Sequence, residues 1–394
     1  MTIEQMDQEY LLSTYNKNYI SFVSGKGAKL YDDAGFDYID FASGIGVSSV
    51  GHGNEKLSDA ICEQAKKIIH ISNLQVIEPQ VKLAKKIVEL SGYDMACFFG
   101  NSGAEANEAA VKIARKHGFQ NFETKKFKII TVDNSFHGRT ITTLKATGQD
   151  SFHTKDFSPY PDGFVYAQNI DDIYGKIDDQ TVAVMIELVQ GEGGVQPFDK
   201  TKIQKLAKKL KDEKILLIVD EVQTGIYRTG AFLASNLYEI EPDIITLAKG
   251  LGGGVPIGVA MTNLKEIFEP GDHGSTFGGN YISTRAGEVV LSILEQEKNS
   301  GELVEKIDLF EEYLINIVNK YPDLFEKRVG LGLMLGLRAW SKEIQQKVIQ
   351  SAFENRLILL RAGRDTVRML PPLTITTKEI NEGFKRFEKA ISNI

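Results

Sequence analysis

A series of short apolar runs constrains the fold more than any other feature of the sequence. Helical or loop stretches separate the runs, and this alternation is typical of a mainly parallel sheet flanked by helices. The runs span residues 96–99, 127–132, 182–188, 215–219, 244–248 and 257–261. The sequence therefore predicts an α/β fold with a mainly parallel, mixed sheet.

Two of these runs end at a charged residue. Asp220 follows run 215–219, and Lys249 follows run 244–248 just before the glycine-rich segment 250–254. Because ligands of an open α/β sheet bind outside the carboxyl ends of its strands, both charges are expected to face one crevice. The pair suits pyridoxal phosphate, since the lysine can form a Schiff base and the aspartate can pair with a protonated pyridine nitrogen. Taken singly, each has an ordinary reading as a turn-capping aspartate or a solvated lysine.

Charge and hydropathy argue against two classes of partner. The formal net charge is -7, from 46 basic and 53 acidic residues without a basic block, so no nucleic acid is expected. No apolar run approaches the roughly 18 residues that span a bilayer, and the polar, acidic N-terminus is unlike a signal peptide. We expect a cytoplasmic protein without membrane association. Cys62 and Cys97 alone indicate neither a disulfide framework nor a metal site.

The length of 394 residues indicates more than one domain. Residues 28–41 predict a hairpin with a four-residue turn, and a glycine-spaced strand is expected over 330–337. We predict a large domain over residues 56–282 and a smaller α+β domain over 283–394. The N-terminal segment, residues 1–55, is expected to contribute to the smaller domain.

The turn after the first run of this series leads into a predicted helix at Ser102-Gly103-Ala104-Glu105. Free N–H groups at a helix start bind anions, and the small residues allow a phosphate to approach the backbone. The same four residues also match a capping box, in which Ser102 and Glu105 satisfy each other's backbone groups. The two interpretations are compatible.

Three further segments carry candidate binding residues. Phe136 and Arg139 follow the run that ends at residue 132, where a ring could stack on Phe136 and a carboxylate could bind Arg139. Glu192 lies among glycines in segment 190–194, and Ser275 with Thr276 lies in a second glycine-rich loop. A core phenylalanine, a solvated arginine and a turn acid are the plain alternatives.

Together, eight segments resemble the class III (ω-amino) aminotransferases, which are fold-type I pyridoxal-phosphate enzymes, over essentially the whole chain. Within that family the resemblance is greatest to the bacterial acetylornithine aminotransferases. The eight segments, in order, are DYIDFASGIGVSSVGHGN, NSGAEANEAAVKIAR, SFHGRT, QGEGGVQP, VDEVQTGIYRTG, LAKGLGGGVPIG, HGSTFGGN and VRMLPPLTIT.

The resemblance implies a set of residues that hold the cofactor. Lys249 would bind pyridoxal phosphate covalently and then carry a proton, and Asp220 would keep the pyridine nitrogen protonated. Gln223 would hydrogen-bond the phenolic oxygen, while Phe136 would stack on the ring. The phosphate would lie on Ser102, Gly103 and Ala104, with Thr276 reaching it from the other subunit of a homodimer.

The resemblance also implies how substrates bind. Arg139, Arg368 and Ser275 would meet substrate carboxylates. Glu192 would act as a switch that pairs with Arg368 while the ω-amine donor is bound and releases it for 2-oxoglutarate.

The donor implied is N-acetylornithine in arginine biosynthesis. Ornithine aminotransferases carry a tyrosine near the position of Ile45, and an isoleucine there favours an acylated donor. Succinyl-diaminopimelate, GABA and free ornithine are the open alternatives. A nicotinamide-dependent oxidoreductase would share the strand alternation, but its fingerprint turn is missing. A catalytically inactive binding protein is disfavoured because lysine, aspartate and phosphate site are all present.

Overall fold

The computed structural model describes residues 1–392 and 394. A seven-stranded sheet lies at its centre, in the order β4-β12-β11-β10-β7-β5-β6. The strands of the chain are β1 (Phe22–Lys26), β2 (Lys29–Asp32), β3 (Asp37–Asp40), β4 (Ala96–Gly100), β5 (Lys128–Val132), β6 (Phe164–Ala167), β7 (Thr181–Ile186), β8 (Val189–Gln190), β9 (Gln196–Pro197), β10 (Leu216–Asp220), β11 (Ile244–Leu247), β12 (Gly258–Thr262), β13 (Phe325–Leu331), β14 (Met334–Ala339), β15 (Leu357–Ile358), β16 (Leu360–Ala362) and β17 (Thr366–Met369).

Helices cover the central sheet on both faces. Buried side chains of α5 pack on one face, and those of α7, α8 and α9 pack on the other. The helices are α1 (Ile3–Tyr10), the left-handed turn α2 (Ser43–Gly46), α3 (Glu55–Lys67), α4 (Glu78–Ser91), α5 (Gly103–Gln120), α6 (Ile141–Ala146), α7 (Ile170–Lys176), α8 (Lys200–Asp212), α9 (Ala234–Tyr238), α10 (Tyr281–Asn299), α11 (Glu302–Lys320), α12 (Lys342–Glu354) and α13 (Thr377–Ile391).

The predicted α/β fold is confirmed, and each of the six apolar runs overlaps a strand of the central sheet. Neighbouring strands are parallel except at β12, which is antiparallel to both β11 and β4. Strand β6 was not among the predicted runs, and it extends the sheet beside β5. The carboxyl ends of the parallel strands meet at one edge, and β12 begins at that same edge.

Two smaller sheets combine the two ends of the chain. The predicted N-terminal hairpin is formed by β2 and β3, and the sheet order is β1-β2-β3-β15, so a C-terminal strand completes it. The other small sheet has the order β13-β14-β17-β16. The proposed domain boundaries stay a prediction, and α10, which begins at the second boundary, packs against α3, α4 and α11.

The expectation of one strand over residues 330–337 is wrong. The segment is a tight hairpin in which Leu331 pairs with Met334, so β13 and β14 run antiparallel. Gly332 has a φ of 60°, a left-handed conformation that glycine adopts without the steric cost of a Cβ. The alternating glycines therefore mark a turn as well as a strand.

Among the residues that the structure describes, no helix is long and apolar enough to cross a lipid bilayer.

Candidate active site

A cavity of about 430 Å³ opens at the edge where the parallel strands end. Most of the residues predicted to bind cofactor or substrate lie in its wall. These residues are Ser102, Gly103, Ala104, Phe136, Arg139, Glu192, Asp220, Gln223 and Lys249. Side chains from distant parts of the sequence thus meet because their strands end at one edge of the sheet.

Lys249 follows β11 through a sharp change of backbone direction. Ala248 has φ -166° and ψ -139°, and Lys249 has a φ of 42°, which costs a residue with a Cβ roughly 1–2 kcal/mol. Burial lowers the pKa of the Lys249 amine, although the Glu192 carboxylate opposes this effect. The strained turn therefore holds an amine that loses its proton more readily than a solvated lysine does.

Asp220 is the last residue of β10, and both of its carboxylate oxygens are engaged. Oδ2 accepts hydrogen bonds from His137 Nδ1 and Asn107 Nδ2, each at 2.8 Å, and Oδ1 accepts one from the Val222 N–H at 3.0 Å. The Thr246 hydroxyl donates in turn to Asn107 Oδ1 at 2.7 Å. This buried network fixes the position of the carboxylate.

Glu187 is a buried carboxylate in the cavity wall that sequence reasoning did not single out. Its two oxygens accept hydrogen bonds from the backbone N–H groups of Phe136, at 3.0 Å, and Gly191, at 3.3 Å. Burial raises its pKa to about 7, with the nearby His137 opposing the shift and Asp220 adding to it. An acid near the end of the otherwise apolar run 182–188 was the signal that could have identified it.

The start of α5 forms part of the cavity wall. Ser102 Oγ accepts the Glu105 N–H at 3.2 Å, as predicted for a helix cap. The Glu105 carboxylate bonds the backbone and side chain of Asn101 instead of the Ser102 backbone, so the reciprocal capping box does not form. The first N–H groups of the helix lack intrahelical acceptors, which suits an anion. A residue larger than glycine would not fit at position 103 without a shift, because its Cβ would lie only 2.7 Å from Val222 Cγ1.

Arg368, on β17, reaches the cavity residues through an ion pair. Its Nη1 donates to Glu192 Oε1 at 2.6 Å and to Gln223 Oε1 at 3.3 Å, and its Nη2 donates to the Arg361 carbonyl at 3.4 Å. Burial raises the pKa of Glu192, but the charge and hydrogen bond of Arg368 outweigh it, and the net pKa lies below the ordinary value. The predicted pair of Glu192 and Arg368 is thus formed in the structure.

Arg139 is exposed at the cavity mouth. Its guanidinium carbon lies 4.5 Å from the ring centroid of Phe152 and 5.6 Å from that of Phe136. Aromatic faces attract a guanidinium at such distances, so two rings hold Arg139.

Ser275 and Thr276 lie outside the cavity wall of their own chain. Ser275 Oγ accepts hydrogen bonds from Asn101 Nδ2 at 3.1 Å and from the Gly278 N–H at 2.9 Å, and Thr276 is exposed. Ile45 is 42% exposed, and Val47 lines the cavity in its place. Ile45, which was expected to favour an acylated donor, is thus not among the residues of the cavity wall, whereas Val47 is.

A family model described as aminotransferase class-III matches residues 12–391. The chain belongs to the class III aminotransferases. This aminotransferase is 60% identical to the acetylornithine aminotransferase of Wolinella succinogenes over 99% of its own length and 100% of that relative.

Solved structures of the family share the fold. The ornithine aminotransferase of Toxoplasma gondii, whose active site is described as partly occupied by pyridoxal phosphate, matches with a TM-score of 0.93 and 29% identity over 99% of this chain and 93% of that one. The N-acetylornithine aminotransferase of Stenotrophomonas maltophilia matches with a TM-score of 0.83 and 31% identity over 99% and 98%.

Enzymes of this class depend on pyridoxal phosphate, and the residues of this aminotransferase fit that cofactor. The cavity wall contains an amine, at Lys249, a hydrogen-bonded carboxylate, at Asp220, an aromatic ring, at Phe136, and the N-terminus of α5. An amine, an acid for the ring nitrogen and an anion site for the phosphate are the groups that the cofactor needs.

Proposed function

We propose that this aminotransferase transfers the δ-amino group of N-acetylornithine to 2-oxoglutarate in arginine biosynthesis, giving N-acetylglutamate 5-semialdehyde and glutamate. The observation that carries the proposal is the pairing of charged groups in the cavity. That pairing leaves an arginine for a substrate carboxylate and no unengaged carboxylate for a substrate ammonium. The identity to the Wolinella succinogenes relative supports the same donor.

Each carboxylate in the described cavity wall already has partners. Glu187 accepts two backbone N–H groups, Asp220 accepts two side-chain donors and a backbone N–H, and Glu192 pairs with Arg368. The α-ammonium of free ornithine would lie near the cavity mouth without an unengaged carboxylate to pair with it, and an unpaired, partly buried charge is costly. Acetylation of that amine removes the charge and the cost.

Arg139 is the group proposed to bind the α-carboxylate of the donor. It lies at the cavity mouth beside two aromatic rings, and a guanidinium can bind a carboxylate with two hydrogen bonds. A donor held there by its α-carboxylate directs its distal amine into the cavity, toward Lys249.

The residues around the cofactor would divide the chemistry between them. Pyridoxal phosphate supplies an aldehyde that condenses with amines and a ring that withdraws electrons. Lys249 would hold it covalently, and its amine, with a lowered pKa, would then move the substrate proton. The fixed negative charge of Asp220 would keep the ring nitrogen protonated. Gln223 would donate to the phenolic oxygen, and Phe136 would cover the ring face.

Arg368 is proposed to serve the second substrate. 2-Oxoglutarate has two carboxylates, of which Arg139 would bind the distal one and Arg368 the one beside the keto group. Glu192 pairs with Arg368 at 2.6 Å and would have to turn away to release it. The ion pair therefore supports a gate that lets one cavity accept two unlike substrates.

Steady-state kinetics with two donors tests this proposal. At saturating 2-oxoglutarate, kcat/KM for N-acetylornithine should exceed that for ornithine by at least about tenfold, or about 1.4 kcal/mol. The structural similarity to an ornithine aminotransferase makes free ornithine the second candidate. A preference for ornithine, or for GABA or succinyl-diaminopimelate, would overturn the choice of donor.

We also propose that the enzyme is a cytoplasmic homodimer with shared active sites. Thr276 and its neighbour Phe277, which is 62% exposed, lie in a loop outside the cavity wall of their own chain. Leu74 and Val76 are 89% and 81% exposed. Large exposed apolar side chains support a protein interface, and a partner's cavity would give Thr276 a phosphate to bind.

A further inference from the structure

Arg139 is positioned without an ionic partner. Among residues 1–392 and 394, it takes part in none of the ion pairs, whereas Arg368 is held by a carboxylate at 2.6 Å. A long exposed side chain without partners samples many rotamers, and fixing it on substrate binding costs conformational entropy. The groups beside the Arg139 guanidinium are two aromatic rings.

We propose that Phe152 is the positioning residue that holds Arg139 ready for the α-carboxylate of the amine donor. This inference rests on the proposed function, and it adds a residue from a segment that neither the sequence nor the cofactor chemistry singled out. Phe152 ends a short 3-10 turn, Asp150–Phe152, outside the central sheet.

The distances favour Phe152 over Phe136 for this role. The guanidinium carbon of Arg139 is 4.5 Å from the Phe152 ring centroid, against 5.6 Å for Phe136. Phe136 lines the cavity, and its backbone N–H is bound by Glu187. Its ring is therefore proposed to stack on the cofactor, which leaves Phe152 to hold Arg139. Phe152 meets Phe136 edge to face, with centroids 6.0 Å apart, and this contact fixes the Phe152 ring beside Arg139.

The expected effect is on binding of a carboxylate. A cation–π contact at an exposed site stabilises the pair modestly, so Phe152→Leu should lower kcat/KM for N-acetylornithine by roughly two- to fivefold, mainly through KM. Phe152→Tyr keeps the ring and should retain most of the activity.

A donor without the α-carboxylate separates positioning from general damage. N-acetyl-1,4-diaminobutane has the same chain and the same distal amine as N-acetylornithine. Single-turnover rates with this donor, measured without 2-oxoglutarate, should change less than about twofold in Phe152→Leu. In an Arg139→Ala background, Phe152→Leu should have no further effect on N-acetylornithine, because the two changes remove one interaction.

Phe157 provides a matched control. It lies on the next 3-10 turn, Lys155–Phe157, and is 55% exposed. Phe157→Leu should leave both donors unaffected. Equal losses with both donors in Phe152→Leu, no loss with either, or additive effects with Arg139→Ala would each overturn the role of Phe152. Failure of the wild type to prefer N-acetylornithine over its decarboxylated analogue would instead count against the proposed function.

Discussion

At Arg368 a single buried side chain is proposed to serve one half of the reaction. Arg368→Ala should mainly slow the half-reaction with 2-oxoglutarate or glutamate, because only that substrate needs the arginine released by Glu192. Truncating one partner of a buried charged pair costs about 2–5 kcal/mol. Rapid-mixing measurements of each half-reaction test this, and equal losses in both would contradict the gate.

The high pKa of Glu187 predicts a pH dependence of stability. The folded protein keeps the Glu187 proton up to about pH 7, against an ordinary value of 4.5, so the folded state binds more protons than the unfolded state between these values. The free energy of unfolding should therefore fall as the pH rises through this window, by at most about 3 kcal/mol. Glu187→Gln should lack this contribution.

Urea unfolding of the wild type and Glu187→Gln between pH 5 and 8 measures the difference. The exposed Glu123→Gln variant serves as control and should follow the wild type. Parallel curves for the wild type and Glu187→Gln would show that Glu187 does not titrate in this window.

Residues that follow strands were predictable, and residues that act through neighbours were not. Asp220 and Lys249 stand out because each charge ends an apolar run, and strand ends converge on the ligand edge. Asn107 lies inside α5, and its role depends on a hydrogen bond to Asp220 across the fold. No local pattern encodes such a contact. The contact of Phe152 with Arg139 could not be predicted for the same reason.

At the scale of elements, the turn between β16 and β17 holds the Glu192 loop. Arg364 and Asp365 have φ values of 50° and 52°, a left-handed turn that is sterically unfavourable for arginine and better tolerated by aspartate. Arg364 Nη1 donates to the Gly193 carbonyl at 2.5 Å and to Gln190 Oε1 at 3.2 Å. The turn therefore holds the Glu192 loop through the Gly193 backbone on one side and the Gln190 side chain on the other.

Arg364→Asn changes two things at once: it relieves the backbone strain at this position and removes the hydrogen bonds from the side chain to the Glu192 loop. Asparagine tolerates the left-handed conformation, which recovers roughly 1 kcal/mol, but the lost charged hydrogen bonds to the loop outweigh this gain. We expect Tm to fall by a few degrees and the half-reaction with 2-oxoglutarate to slow several-fold.

Asp365→Asn is the matched control, since it changes the same turn without touching the Glu192 loop. It should leave both half-reactions unchanged and Tm unchanged or higher. If Asp365→Asn also slowed only the half-reaction with 2-oxoglutarate, the conclusion that the Arg364 side chain holds the Glu192 loop would be wrong.

The elements themselves were predicted better than their directions. Short apolar runs predict strands because buried strands need apolar side chains on both faces. Every such run overlaps a strand of the central sheet. Direction depends on the connection between strands, so the antiparallel β12 could not be read from its run. The hairpin at Gly332 was missed because glycines within a strand and glycines in a tight turn look alike in sequence.

At the scale of the whole molecule, the proposed sharing of sites between subunits can be tested by complementation. Lys249→Ala removes the amine, and Thr276→Glu would place a negative charge against the cofactor phosphate. If Thr276 acts on the partner's site, a mixed dimer of the two variants keeps one intact site. Random mixing of the two variants' subunits should restore about a quarter of wild-type activity, because about half of the dimers are mixed and each of these has one intact site of two.

Each variant alone should be nearly inactive. If Thr276 acted within its own chain, both sites of the mixed dimer would be damaged and mixing would restore nothing. Sedimentation of the unmixed variants shows whether each one still dimerises.

The sheet that joins both ends of the chain has a consequence for synthesis on the ribosome. Strand β3 pairs with β15, and the Ala28 N–H bonds the Glu379 carboxylate across 351 residues of sequence. At roughly 5–20 residues per second, the first strands wait roughly 20–70 seconds for their partners. During that time β1 to β3 leave the ribosome with an unpaired edge that a neighbouring nascent chain could join. The edge of β3 therefore stays open to such pairing until β15 has been synthesised.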